Sequence, residues 1–137
     1  MFEIITPEIK LTISINEREN NSDEFHYYSI IFKLFIEFIS EGIHYEKVWD
    51  CYIGELEKFK SELIKLRDSV DYDEVILSPM CETSSLAIEK IVTPYETYRF
   101  KFNLASSVHS LISIQGMTML DQSYIPGIII GVDELLK

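Results

Sequence analysis

The first third of the chain alternates strictly between apolar and polar residues. In residues 9–16 every second side chain is apolar, a pattern typical of a strand with one buried face. In residues 26–40 every even position from Ile30 to Phe38 is apolar, and the segment is rich in aromatic and β-branched residues, which favours one long strand. Glu41 and Gly42 then form a predicted turn, so we expect residues 43–52 to return antiparallel as the second arm of a hairpin.

Two other segments repeat at helical spacing. In residues 54–68 apolar side chains recur every three or four positions, which predicts an amphipathic helix with one buried stripe. The last segment of the chain has the same spacing, and Pro126 suits the first turn of a helix. Asp121 and Ser123 precede this segment, and both residue types accept hydrogen bonds from the free N–H groups at a helix start. We therefore expect Asp121 or Ser123 to cap a C-terminal helix.

Shorter strands complete the predicted elements. One precedes the first alternating segment and four lie between the helices; they are residues 2–5, 75–79, 85–92, 97–106 and 109–119. Residues 17–24 are polar throughout and are expected to form a solvated loop. This order predicts an α+β fold: an antiparallel meander of about six to eight strands with one mid-chain helix and one C-terminal helix packed on it. Because the sequence shows neither an internal repeat nor a linker, residues 1–137 are expected to form a single domain.

The charge balance narrows the classes of partner. The chain has 23 acidic and 12 basic residues among 137, a net charge of −11. Such a surface repels nucleic acid and anionic membranes, so we expect neither as a direct partner, and a basic protein is the natural complement. Two cysteines are too few for a disulfide framework, and no apolar run is long enough to cross a membrane, which together favour a cytoplasmic protein with free thiols.

The residues that carry chemistry form no recognisable site. The three histidines and two cysteines lack metal-ligand spacing, and no nucleophile motif or glycine-rich phosphate loop occurs. We therefore expect no catalytic residue, no metal and no cofactor. Lys33 and Glu37 share one face of the long predicted strand and are interpreted as a surface ion pair rather than as a catalytic acid beside its cation.

Acidic residues are concentrated at two places. The first acidic cluster consists of Glu17, Glu19, Asp23 and Glu24. The second acidic cluster consists of Asp71, Tyr72, Asp73 and Glu74. Charge runs of this kind are most often only solvated surface. The functional alternative is that they dock a basic protein, with Tyr72 as an aromatic anchor.

Two stretches of the sequence resemble the WapI-type immunity proteins, small bacterial antidotes to secreted polymorphic toxins. After Trp49, the residues Glu55, Leu56, Phe59, Leu63 and Leu66 are similar to that family's E-L-x-x-F-x-x-x-L-x-x-L helix. Residues 121–125, D-Q-S-Y-I, are similar to its D-Q-S-x-L ending. The resemblance spans residues 32–137 and implies a non-enzymatic protein that binds and blocks the toxin domain of a cognate effector, often a nuclease, in contact-dependent inhibition. It carries over no toxin-binding residues.

Another hypothesis remains open beside the immunity protein. It is a small-ligand-binding or structural α+β protein in which Tyr28, Phe35 and Trp49 line an apolar cavity of ~300 Å³ or more. A neighbouring reading frame that ends in a toxin domain would favour the immunity protein, whereas a metabolic operon would favour the pocket protein.

Overall fold

The computed structural model describes residues 1–70, 73–91, 96–106 and 112–137. Its elements in chain order are β1 (Phe2–Ile5), β2 (Ile9–Asn20), a 3₁₀ turn (His26–Tyr28), β3 (Ile30–Ser40), β4 (Ile43–Tyr52), α1 (Ile53–Asp68), β5 (Glu74–Leu77), β6 (Ser85–Ile91), β7 (Thr97–Ala105), β8 (Ser113–Asp121) and α2 (Tyr124–Leu136).

The strands form two antiparallel four-stranded sheets in the orders β1-β2-β3-β4 and β5-β6-β7-β8. The predicted α+β class, strand number and helix positions are confirmed, and the structure adds that α1 divides the strands between two sheets. Each sheet is followed by a helix, so the order of four strands and one helix occurs twice. The two halves share this order of elements but no repeated sequence.

The two sheets enclose one hydrophobic core. Alternate side chains of each long strand point inward, and the ring centroids of Phe38 on β3 and Phe102 on β7 lie 4.8 Å apart across the core. Helix α2 covers β1 very closely: a Cβ added at Gly131 would lie 3.0 Å from the Cα of Phe2. Glycine therefore sets how near this helix can approach the sheet.

A buried carboxylate organises the start of α1. Glu55 accepts a hydrogen bond from the backbone N–H of Tyr52 at 2.9 Å, and its second oxygen accepts one from the N–H of Met80 at 2.9 Å. The side chain thus satisfies a donor at the helix start and holds the segment between β5 and β6 against it. The neighbouring residues Leu56 and Phe59 are buried in the core. These three residues of the segment that resembles the immunity-protein helix are therefore structural.

The polar segment 17–24 does not form a loop along its whole length. Strand β2 continues to Asn20, and after a register shift between Ile15 and Glu17 it pairs Glu17 with Lys33 of β3. Backbone pairing to the long β3 strand extends β2 although its side chains there are polar, because one face of the sheet is open to water. The predicted strand 26–40 is correspondingly shorter, since a 3₁₀ turn occupies its first residues and the strand begins at Ile30.

The capping prediction for α2 is wrong. Ser123 occupies the N-cap position but makes no side-chain hydrogen bond to the helix. Asp121 instead lies at the end of β8 and accepts hydrogen bonds from the backbone N–H of Ser123, at 2.8 Å, and from its hydroxyl. Pro126 lies in the first turn, as predicted. The predicted strand 109–119 is described only from Ser113, since residues 107–111 lie outside the described part.

Candidate partner-binding surface

The first acidic cluster lies where β2 ends and the chain turns towards β3. Glu17 and Glu19 belong to β2, whereas Asp23 and Glu24 belong to the connecting segment. Asp23 accepts a hydrogen bond from the backbone N–H of Phe25 at 3.0 Å, which shapes the turn before the 3₁₀ helix. Three of the four acids, Glu17, Asp23 and Glu24, are exposed. The four therefore form one acidic region, although only two of them lie in a loop.

One lysine offsets the charge of this region only in part. The Nζ of Lys33 lies 3.0 Å from Asp50 on β4 and 3.9 Å from Glu19. The hydrogen bond to Asp50 raises the pKa of Lys33 above its ordinary value, and the nearby Glu19 and Glu17 act in the same direction. Lys33 thus faces three carboxylates, those of Asp50, Glu19 and Glu17, whereas the neighbouring Arg18 donates to the carbonyl of Leu135.

The predicted ion pair between Lys33 and Glu37 is wrong. Glu37 instead lies 3.5 Å from the Nε2 of His44 on β4, and His44 also lies 3.1 Å from Glu46. The register places Glu37 directly opposite Glu46, so the imidazole of His44 stands beside two opposed carboxylates. The ligand atoms of these three residues lie within 4.8 Å of one another, and all three side chains are at least partly exposed. No sequence motif indicates this group, because its members come from two paired strands.

Aromatic side chains adjoin the first acidic cluster. Phe25 is 63% exposed and Tyr27 is 36% exposed. The rings of Tyr27 and Tyr28 meet edge to face at 4.7 Å, and those of Tyr28 and Tyr52 at 5.0 Å. Tyr27 lies against Gly54, where an added Cβ would come within 2.1 Å of the ring. The first turn of α1 therefore holds this aromatic row in place.

We call this region the acidic-aromatic surface. Its members are Glu17, Glu19, Asp23, Glu24, Phe25, Tyr27, Tyr28, Asp50 and Tyr52. Its aromatic residues were not predicted as part of a binding surface. The signal was present, because Phe25, Tyr27 and Tyr28 directly follow the acidic residues in the sequence. Tyr52 and Asp50 carried no such signal, since the pairing of β4 with β3 brings them there.

The second acidic cluster has a different character. Glu74 forms an ion pair with Lys101, and Glu89 lies between Lys101 and Arg99, at 2.8 Å from the latter. The hydrogen bond from Lys101 to Glu74 raises the pKa of that lysine. The charge of Glu74 is therefore largely neutralised by Lys101 of the same sheet. Asp73 is exposed, and its carbonyl accepts the N–H of Lys90 at 2.7 Å. Asp71 and Tyr72 lie outside the described residues.

The two acidic clusters are not brought together. His26 of the 3₁₀ turn contacts Glu57 near the start of α1 at 2.6 Å, whereas the second cluster follows the end of the same helix. A helix of 16 residues is about 24 Å long. Asp73 and Glu74, the described residues of the second cluster, therefore lie near the opposite end of α1 from the first cluster.

The two thiols lie in contrasting environments. Cys51 is buried, and burial raises its pKa far above the ordinary value for a thiol. Cys81 is exposed, and its pKa is also raised, first by desolvation and then by the nearby Asp50. Since the thiolate is the reactive form, neither environment activates the sulfur as a nucleophile.

Five clefts of the described residues are lined by side chains other than Tyr28, Phe35 and Trp49, the residues expected to line a ligand pocket. Trp49 is completely buried, and its indole N–H donates to the hydroxyl of Tyr45 at 3.1 Å. A void inside the core has a volume of only ≈ 10 Å³. The open surface clefts of ≈ 450 and ≈ 440 Å³ are lined by other residues. Within the described residues, nothing therefore favours the pocket hypothesis over a binding surface.

Comparisons with known proteins add little. No protein-family model matches the chain, and no curated protein matches it in sequence. The solved structure of the plant transcriptional regulator PBF-2 is similar over 98% of this chain and 86% of that chain, with a TM-score of 0.44 and 8% sequence identity. So distant a likeness carries no argument about function. Neither helix in the described ranges is both long and apolar enough to span a membrane.

Proposed function

We propose that this chain is a non-enzymatic immunity protein of the cytoplasm that binds and blocks a basic toxin domain, a nuclease, of a cognate bacterial effector. The observation that carries the proposal is the acidic-aromatic surface. There, carboxylates that Lys33 offsets only in part adjoin a row of aromatic rings held by α1.

Such a surface suits a partner rich in arginine and lysine. Tyrosine and arginine are enriched among the residues that dominate binding energy, and a guanidinium packed on a tyrosine face gains cation–π attraction. The net charge of −11 adds long-range attraction that raises the association rate. A nuclease active site is basic because it holds phosphates, so an acidic protein is steered towards it and masks it.

The test compares two charge-reversal pairs that change the net charge equally. The test variant is Glu17→Lys with Glu24→Lys, on the acidic-aromatic surface. The control is Glu3→Lys with Glu41→Lys, two exposed acids away from that surface. Association and dissociation rates are measured by stopped flow against the toxin domain encoded beside the gene for this chain.

We expect the test pair to lower the association rate by about tenfold or more, and the control pair by no more than about threefold. The rate for the unmodified protein should fall as salt rises, because exposed charges are screened. Equal effects of the two pairs would show that only net charge matters and would remove the surface from the proposal. Failure to bind the toxin domain or to block its activity would overturn the proposed function itself.

A further inference from the structure

One histidine and two glutamates meet on the solvent face of the first sheet. Glu37 lies on β3, whereas His44 and Glu46 lie on β4, and the register sets the two glutamates directly opposite each other. The Nε2 of His44 lies 3.5 Å from a carboxylate oxygen of Glu37 and 3.1 Å from one of Glu46. One ligand atom from each residue lies within 4.8 Å of the other two. Three groups that are able to ligate a metal thus converge on one point outside the core.

The distances from the histidine are those between ligands of a single metal ion. Zinc binds histidine nitrogen and carboxylate oxygen at about 2.0–2.2 Å. Two such ligands are then about 3.0 Å apart at octahedral angles and about 3.4 Å apart at tetrahedral angles. Both distances from the Nε2 of His44 agree with these values. The side chain of Glu46 is half exposed, so its rotation brings the two carboxylates closer together without moving the backbone.

The hairpin of β3 and β4 holds the three residues in place. The two strands pair without a register shift, so the backbone positions of the ligands are fixed relative to one another. Phe38 and Tyr45 are paired neighbours of the ligands along these strands, and both are buried in the core. Because side chains alternate across a sheet, the three ligands are held on the opposite face. Ligands on rigid strands bind a metal with little cost of reorganisation.

We propose that Glu37, His44 and Glu46 bind a divalent transition-metal ion of the Zn²⁺ type, with water in its remaining coordination positions. The two carboxylates supply two negative charges, which a divalent cation balances. The imidazole nitrogen favours zinc and similar ions over Mg²⁺ and Ca²⁺, which prefer oxygen ligands. The expectation of no metal rested on spacing along the chain, whereas strand pairing assembles this site. None of its residues belongs to the acidic-aromatic surface, so the inference does not depend on the toxin-binding proposal.

The experiment titrates the untagged full chain with Zn²⁺ in an isothermal titration calorimeter. The test variants are His44→Ala, Glu37→Gln and Glu46→Gln, each of which removes one proposed ligand. The matched controls are His26→Ala and Glu57→Gln. His26 is also exposed and contacts the carboxylate of Glu57 at 2.6 Å, so this pair offers two ligands where the proposed site offers three.

We expect one Zn²⁺ per chain at this site, with a dissociation constant on the order of micromolar. The constant should rise by about tenfold or more in each test variant and by no more than about threefold in the controls. Mg²⁺ should bind at least about tenfold more weakly than Zn²⁺. In NMR spectra the imidazole signals of His44 should shift as Zn²⁺ is added, whereas those of His26 should not. Fluorescence of Trp49 verifies that every variant is folded.

Four results would overturn the proposal. One is the absence of both binding heat and a shift of the His44 signals up to about millimolar Zn²⁺. Another is a dissociation constant that all three test variants leave unchanged, which would place the ion elsewhere on the chain. The third is an equal loss of affinity in the test and control variants, which would show that any exposed histidine beside a carboxylate suffices. The fourth is equal affinity for Mg²⁺, which would contradict a transition-metal site. Each of these results leaves the toxin-binding proposal standing.

Discussion

Replacing Tyr45 with phenylalanine should test the buried hydrogen bonds that connect the two sheets. The indole N–H of Trp49 donates to the Tyr45 hydroxyl at 3.1 Å, and that hydroxyl donates to the carbonyl of Ala105 at 2.8 Å. Trp49 and Tyr45 belong to β4, whereas Ala105 ends β7 of the other sheet. The Tyr45→Phe variant keeps the ring and removes both bonds.

The expected cost follows from which groups are left unpaired. Trp49 is completely buried, so its N–H loses its partner without gaining water, at a cost of about 1–3 kcal/mol. The Ala105 carbonyl loses less, about 0.5–1 kcal/mol, because the Ser84 hydroxyl still approaches it at 3.5 Å. We therefore expect Tyr45→Phe to lower the free energy of unfolding by about 1.5–4 kcal/mol.

The measurement is urea unfolding followed by circular dichroism at equilibrium. For the unmodified protein and Tyr45→Phe, fluorescence of Trp49, the single tryptophan of the chain, gives a second probe. Trp49→Phe completes a double-mutant cycle. Without the indole N–H, the same change at Tyr45 should cost about 1–3 kcal/mol less. A cost below about 0.5 kcal/mol, or no coupling between the two positions, would refute the reasoning.

Three further predictions concern single side chains. A thiol reagent should label Cys81 and not Cys51 in the folded protein, and both after unfolding; rapid labelling of folded Cys51 would contradict its burial. Burial raises the pKa of Tyr98 to about 12, so the unfolded state ionises first and stability should fall between pH 10 and 12. In denaturant titrations, the unmodified protein should lose on the order of 2 kcal/mol more unfolding free energy over this pH range than Tyr98→Phe. The same pH dependence in both proteins would contradict this prediction. The Asp121 carboxylate accepts the N–H of Ser123, whereas the Ser123 side chain accepts no hydrogen bond from the helix. In thermal unfolding, Asp121→Ala should therefore lower stability by about 0.5–1 kcal/mol and Ser123→Ala by less. The reverse order would indicate that Ser123 caps the helix.

Periodicity in the sequence predicted most elements because it reflects local geometry. Side chains alternate across a strand and recur every three to four residues on a helix, whatever the element packs against. The apolar row from Ile30 to Phe38 and the helical stripe before Asp68 could therefore be recognised without the fold. Net charge likewise needs no structure, and it directed attention to a basic partner.

The ends of elements depended on tertiary contacts. Residues 17–20 look like a loop by composition, but the partner strand β3 continues past them and keeps them paired. Asp121 looks like a helix cap, but pairing with Thr97 of β7 extends β8 to include it. In both places, hydrogen bonds to a distant strand outweigh the local preference of polar residues for turns.

The sequence determined part of the acidic-aromatic surface, and the tertiary structure determined the rest. The sequence placed Glu17, Glu19, Asp23 and Glu24 together because they are neighbours along the chain. Only the tertiary structure gave Lys33 its partner Asp50 and set Tyr52 beside Tyr28. Only it, too, divided the strands into two sheets and placed β8 at an edge of the second sheet. Pairing between segments distant in the sequence depends on how all the elements pack around one core. Local periodicity therefore does not predict which strands become neighbours.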